Sequence, residues 1–232
     1  MEKLLLDGKW ELHYAPEHAG KTTAQAVKED PAYTHIEANV PGNAELDLYA
    51  AGKAPEPFWG TNLYAFRPYE FYEWWYTRTF VAPQALADRG AVLCLDGVDT
   101  FSTVYLNGTA VGETDDMMLE YRFDVTEALR EGENEIAVHI RSTVNAARNM
   151  DYPMGVRGPG WEHTDEMICV RKPGHMFGWD IAPRFERSVH DNAARGQGTC
   201  AGTAEVPFCS GRPDAGGVCG AGARHVCGKL FL

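Results

Sequence analysis

The segment from Arg171 to Arg184 holds the residues of this chain whose types and spacing are best suited to chemistry. It reads RKPGHMFGWDIAPR, so that the indole of Trp179 stands directly before the carboxylate of Asp180. An aromatic ring covers the C–H face of a pyranose, and a carboxylate accepts paired hydrogen bonds from neighbouring hydroxyls. The pair therefore indicates a carbohydrate-binding site. The alternative is a core Trp179 followed by an Asp180 that caps a turn.

The same segment resembles the RK…FGWDWGP segment of the β-mannosidase-like branch of glycoside hydrolase family two. Further motifs agree with that family in order: LDGKWEL (residues 6–12), VPG (40–42), PFWGTN (57–62), WWYTRTF (74–80), LDGVDT (95–100) and VYLNG (104–108). The resemblance extends from about residue 4 to residue 185. Ile181 and Ala182 stand where the family has Trp and Gly, which leaves room for related β-glycosides as substrates.

The resemblance implies roles for four residues. Trp179 and Asp180 would bind the sugar at the mouth of a catalytic domain. Arg171 and Lys172 match the family's RK and would support Asp180 electrostatically, or they form a plain surface pair. Substrate-binding residues are therefore expected at Trp179, Asp180, Arg171 and Lys172.

No catalytic residue is assigned in this chain. The resemblance implies a parent enzyme that hydrolyses terminal β-mannosides or related β-glycosides with retention, a reaction that needs two carboxylic acids about 5–5.5 Å apart. In the family both acids are glutamates on a (β/α)₈ barrel downstream of this domain. The sequence has no alternating strand–helix pattern of such a barrel, so we expect a barrel partner that this chain lacks.

The periodicity of the chain is mostly that of β-strands. In the segment 134–142, Ile136, Val138 and Ile140 alternate with polar residues, which is typical of a half-buried strand. Asn107-Gly108 between residues 101–106 and 109–111 predicts a hairpin. Further strands are expected over residues 72–81 and 91–95. The pattern and the resemblance both predict an all-β, galactose-binding-like jelly-roll β-sandwich with one or two short helices.

Two short helices are predicted. The first covers Glu45 to Ala51 and is closed by Gly52. The second is a single turn from Asp124 to Arg130, capped by Thr126 or Asp124.

The domain is predicted to end near residue 185, because the amino-acid composition changes and the apolar periodicity is lost after Phe185. Residues 186–232 contain nine Gly, seven Ala and four of the six Cys, with no apolar period. We expect a disordered or out-of-frame tail after a truncation or frameshift, and a cysteine-bearing module is the alternative. Cys200, Cys209, Cys219 and Cys227 lack the close pairs typical of structural zinc.

The bulk composition excludes several function classes. A net charge of −12 argues against nucleic-acid binding, and no apolar run is long enough to span a membrane. No secretory leader is recognised, so a cytoplasmic location is expected. The eight histidines have no HxH or HxxxH spacing, and no phosphate loop is present, so neither a metal nor a cofactor is expected. The expected partner is a carbohydrate, a β-mannoside or related β-glycoside.

These observations predict an N-terminal sugar-binding domain of a β-mannosidase-like glycoside hydrolase, inactive by itself. The alternative is a free-standing carbohydrate-binding module or a non-catalytic interaction domain.

Overall fold

The computed structural model describes residues 4–17, 23–84, 90–151 and 166–172. Its eight strands are β1 (Gly8–Pro16), β2 (Thr34–Val40), β3 (Tyr72–Ala82), β4 (Val92–Leu95), β5 (Ser102–Leu106), β6 (Thr109–Thr114), β7 (Tyr121–Asp124) and β8 (Gly132–Ile140). The helices are α1 (Ala24–Glu29), α2 (Ala44–Ala50), a 3₁₀ segment (Asn62–Phe71), α3 (Thr143–Arg148) and α4 (Glu166–Cys169).

The strands form a large and a small antiparallel sheet. Six strands pair in the order β2-β1-β3-β8-β5-β6, and β4 pairs with β7. Non-sequential neighbours such as β3 and β8 are typical of jelly-roll connectivity. The predicted all-β, galactose-binding-like class is confirmed.

The main core lies between the two sheets. Ile136, Val138 and Ile140 of β8 are all buried, so the face predicted from their alternation is the core face. Large side chains from neighbouring strands fill the rest of this core, among them Trp10, Leu12, Tyr14, Trp74, Tyr76, Leu93 and Leu95. Cys94 is buried as expected. Within the described residues, no helix is both long and apolar enough to cross a bilayer.

The predicted hairpin joins β5 to β6. Asn107 and Gly108 both have positive φ angles, 52° and 80°, as a two-residue hairpin turn requires. The Asn107 side chain also donates hydrogen bonds to Ala128 O (2.8 Å) and to Asn134 Oδ1 (2.7 Å). The conformation of the turn is therefore stabilised by these side-chain hydrogen bonds as well as by its backbone geometry.

A second, smaller core lies on the outer face of the large sheet. Helix α1 covers this face, and Val27 packs with Tyr33, Trp75 and Ala137 there. Because α1 shields these residues, polar groups beside them on β1, β3 and β8 are also withdrawn from water. This second layer was not predicted from the sequence.

Both predicted helical segments are found, one as a helix and one as an isolated turn. α2 begins after Asn43, whose side chain accepts from Leu46 N (2.9 Å), and Gly52 follows with φ +66°. The segment Asp124–Arg130 begins at the end of β7 and contains one turn, in which Leu129 N donates to Val125 O (2.8 Å) and Asp124 Oδ1 accepts from Thr126 N (3.0 Å). Its later polar groups bond elsewhere in the molecule: Ala128 O to Asn107 and Arg130 N to Asn134 Oδ1 (2.9 Å). A continuing helix would need those groups, so the turn stops.

Candidate functional site

Lys172 occupies a buried position at the end of the described chain. Its side chain has 0% exposure, and its Nζ lies 3.2 Å from Asp99 Oδ2, whose side chain is 3% exposed. An ion pair without water contact is held by its own geometry and by further hydrogen bonds to the carboxylate. Lys172 is the last described residue before the segment that holds Trp179 and Asp180.

The sandwich holds Asp99 in place through its neighbour. The hydroxyl of Thr100 donates to Asp99 Oδ1, and Thr100 O accepts from the hydroxyl of Thr114 (2.8 Å). That hydroxyl also lies 2.7 Å from the Ser102 Oγ. These residues belong to the ends of β5 and β6 and to the LDGVDT motif, so the motif builds the socket for Lys172.

Arg171 has a different environment from Lys172. Its backbone forms an isolated parallel bridge with Asp116, and Arg171 O accepts from Met117 N at 3.0 Å. Its side chain is exposed. The two residues therefore do not form a surface pair: the backbone of Arg171 closes against the loop after β6, while the side chain of Lys172 enters the interior.

An apolar contact supports the same segment. Val170 packs with Phe101 and Ala147, which joins the segment to the last turn of α3. Trp179 and Asp180 lie outside the described residues, so their role in sugar binding stays a prediction. The tail predicted over residues 186–232 also lies outside the described residues.

The aromatic side chains between Phe58 and Phe80 divide into buried and exposed groups. Trp74 and Trp75 are fully buried in the two cores. Phe58, Trp59 and Tyr64 are exposed, Trp59 to 73%. The exposed rings precede β3 in one continuous segment, which leaves planar apolar surface accessible to a ligand or partner.

The outer face of the large sheet carries a polar network that the sequence analysis missed. Glu73 is almost fully buried and accepts from the Tyr33 hydroxyl (2.5 Å), while its other oxygen lies 2.7 Å from His139 Nε2. The His139 ring stacks on Trp75 with centroids 4.1 Å apart. Burial raises the pKa of Tyr33 far above its ordinary value, and the bond to Glu73 adds to the shift. Residues this far apart in sequence meet only through strand register.

A group of possible metal ligands lies on the same face. Glu11, His13 and His35 each offer one ligand atom, and the three atoms lie within 4.8 Å of one another. Burial, followed by the neighbouring His35, lowers the pKa of His13 below its ordinary value. The expectation of no metal site considered histidine spacing only and missed this group. The available signal was Glu11-x-His13, since residues two apart share a face of a strand.

Comparison with known proteins decides the family. The family model described as glycosyl hydrolase 2 galactose-binding domain-like matches residues 16–188. The chain belongs to this family. The resemblance drawn from the sequence motifs is therefore confirmed.

Several β-mannosidases are similar to this chain over one domain. β-Mannosidase B of Thermothelomyces thermophilus is 31% identical over 179 residues, which are 77% of this chain and 20% of that protein. A probable β-mannosidase of Caenorhabditis elegans is 31% identical over 156 residues, 63% of this chain and 17% of the relative. The crystal structure of β-D-mannosidase from Dictyoglomus thermophilum superimposes with a TM-score of 0.71 at 30% identity, covering 90% of this chain and 23% of that one.

The chain thus spans about a fifth of the length of the curated relatives it matches. It covers a galactose-binding-like domain of the β-mannosidase-like kind. The cytoplasmic location stays a prediction.

Proposed function

We propose that this chain is the sugar-binding domain of a β-mannosidase-like glycoside hydrolase. Trp179 and Asp180 bind the sugar of a terminal β-mannoside or related β-glycoside. A separate catalytic barrel domain supplies the two carboxylic acids that cleave it, and the carbohydrate is released with retained configuration.

The buried Lys172–Asp99 pair is the observation that carries this proposal. It anchors the chain at the end of the sandwich, immediately before the segment with Trp179 and Asp180. A binding residue on a loop is effective only when its supports are rigid. An ion pair without exposure, reinforced by Thr100 and Thr114, is such a support.

In this arrangement, sugar binding and bond cleavage are carried out by different domains. Binding energy from the indole and the carboxylate orients the sugar, and the reacting groups stay on the barrel. Without the barrel, only one side of the pocket is present, and it buries little of the surface of a monosaccharide. The domain by itself therefore binds the sugar with low affinity. The domain therefore serves positioning and specificity, and its contribution is visible only beside a catalytic domain.

A domain exchange tests the proposal. Residues 4–185 of this chain replace the matching segment of the Dictyoglomus thermophilum β-D-mannosidase, and hydrolysis of an aryl β-mannoside is measured. We expect turnover by the folded chimera and none above buffer by the 232-residue chain alone. Turnover by the chain alone overturns the proposal, and so does a chimera that folds, judged by circular dichroism, but does not hydrolyse the substrate.

The free-standing carbohydrate-binding module is a second candidate, and the exposed rings of Phe58, Trp59 and Tyr64 favour it. Intrinsic tryptophan fluorescence of the whole chain, titrated with manno-oligosaccharides, separates the two. Millimolar or tighter binding that is abolished in Trp59→Ala and kept in Trp179→Ala supports a module with its own aromatic platform. Absence of binding by the isolated chain supports the first proposal, in which this domain and the barrel domain form the sugar site together.

A further inference from the structure

The side chains of Glu11, His13 and His35 converge on one point of the outer sheet face. We propose that these three residues bind a divalent transition-metal ion of the zinc class. This inference does not depend on sugar binding.

Strand register brings the three residues together. β1 and β2 are antiparallel, and His13 lies directly opposite His35 in their register. Their rings stack with centroids 4.8 Å apart and an interplanar angle of 26°. Glu11 is two residues before His13 on the same strand and therefore shares its face. Two imidazoles and one carboxylate are a ligand set that zinc uses when one position stays open.

His13 provides the observation that points to a ligand. Its side chain is only 9% exposed, and its Nε2 is buried without a hydrogen-bond partner among the described residues. That atom faces Glu11, with 3.8 Å between His13 Nε2 and Glu11 Oε2. A buried imidazole nitrogen without a partner is costly, and a metal ion would satisfy it.

The distances suit an ion after small side-chain rotations. Zinc bonds to nitrogen and carboxylate oxygen are about 2.0–2.2 Å, so two ligand atoms at a tetrahedral angle lie about 3.3–3.6 Å apart. The 3.8 Å pair is close to that value, and all three ligand atoms lie within 4.8 Å of one another. Glu11 and His35 are exposed, and the hydrogen bond that Glu11 would have to loosen is a long one of 3.5 Å from the Thr77 hydroxyl to Glu11 Oε2, so rotation of these side chains closes the remaining gap.

The surroundings leave the group accessible. The nearby cations have other partners: Lys28 pairs with Glu135, Lys9 with Glu37, and Arg78 with Leu6 O and Asp7 O. A cleft of about 530 Å³, whose lining includes Glu11 and His35, opens beside the group. It has room for the water that completes a four-coordinate site.

Zinc titration of the untagged whole chain tests the site. We expect one equivalent to bind with micromolar affinity and to raise the melting temperature by several degrees, because a ligand of the folded state stabilises it. His35→Ala and Glu11→Gln each weaken binding at least tenfold and remove most of the thermal shift. Both residues are exposed, so these variants fold. Glu37→Gln, which alters a carboxylate opposite Glu11 in the register, leaves affinity within twofold.

Cobalt substitution identifies the ligands independently. The proposed site gives visible d–d bands of a nitrogen- and oxygen-ligated ion, without the near-ultraviolet thiolate-to-cobalt charge-transfer band. A thiolate band assigns the ion to cysteines and overturns the proposal. Absence of zinc binding, or binding that is unchanged in His35→Ala and Glu11→Gln, overturns it as well.

Discussion

Lys172 Nζ lies 3.2 Å from Asp99 Oδ2, and both side chains are withdrawn from water. The pair joins the residue before the predicted sugar-binding segment to the loop between β4 and β5. It therefore fixes the last described residue of the chain to the sandwich.

Replacing Lys172 with Met is expected to destabilise the fold by about 3–5 kcal/mol, because it leaves the buried charge of Asp99 unpaired. The free energy of unfolding is measured by urea denaturation. The double variant Lys172→Met/Asp99→Asn removes the orphaned charge and should recover at least half of the loss. Lys53→Met, at an exposed position, is the matched control and should change stability little. A loss below about 1 kcal/mol in Lys172→Met contradicts the structural role of the pair.

Tyr33→Phe removes the hydroxyl that donates to the buried Glu73 carboxylate. A hydrogen bond to a charged group contributes about 1.5–3 kcal/mol, and we expect a loss of that size in the free energy of unfolding. Tyr49→Phe, at a half-exposed ring on α2, is the control and should be nearly neutral. Equal stabilities of the two variants would show that the Glu73 network contributes nothing measurable.

Asp47 is expected to make the fold less stable as the pH rises. Burial raises its pKa to about 6, against the opposing hydrogen bonds from Asn39, and Asp47 Oδ2 is buried with no hydrogen-bond partner in the part of the chain that the structure describes. Between about pH 4 and pH 6 the folded state holds a proton that the unfolded state has lost, so unfolding becomes easier with increasing pH. Above that window the ionised carboxylate lowers stability by about 3 kcal/mol relative to the protonated form.

The Asp47→Asn variant checks this pH dependence. Compared with the unmodified chain it should gain about 3 kcal/mol at pH 8 and only about 1 kcal/mol at pH 4.5, measured by urea denaturation. Glu56→Gln, at an exposed position, should follow the profile of the unmodified chain. A constant difference between the Asp47→Asn variant and the unmodified chain at both pH values would contradict the raised pKa.

Gly112 on β6 is packed directly against Phe123 of β7. A Cβ at this glycine would lie 2.1 Å from Phe123 Cε1 and 2.2 Å from its Cδ1, so the ring must move. Gly112→Ala should therefore destabilise by about 1–3 kcal/mol through overpacking. Ala110→Ser, an exposed change on the same strand, is the control. A neutral Gly112→Ala in thermal denaturation would mean that the two sheets separate easily at this edge.

Local patterns were sufficient to predict most of the strands. Alternation in β8 placed Ile136, Val138 and Ile140 in the core, and Asn107-Gly108 predicted the turn between β5 and β6, because both signals lie within a few adjacent residues. The single turn within Asp124–Arg130 was predicted from its capping residues, but the hydrogen bond from Asn107 to Ala128 O could not be, because Asn107 is distant in sequence.

The polar groups of the outer sheet face could not be predicted in the same way. Glu73 and His139, like His13 and His35, meet only because particular strands pair in a particular register. The RK motif drew attention to Lys172, but the buried partner of this side chain, Asp99, is supplied by a motif far earlier in the chain. The role of Lys172 in sugar binding stays a prediction.

The most direct measurement of whether this domain completes the sugar site is the kcat/KM of the chimeric enzyme for an aryl β-mannoside, compared between its unmodified form, Asp180→Asn and Lys53→Ala. We expect a loss of at least a hundredfold in Asp180→Asn, since a carboxylate that binds sugar hydroxyls in the transition state would be neutralised. Lys53→Ala should remain within twofold. An Asp180→Asn enzyme as active as the unmodified chimera would contradict the claim that this domain completes the sugar site.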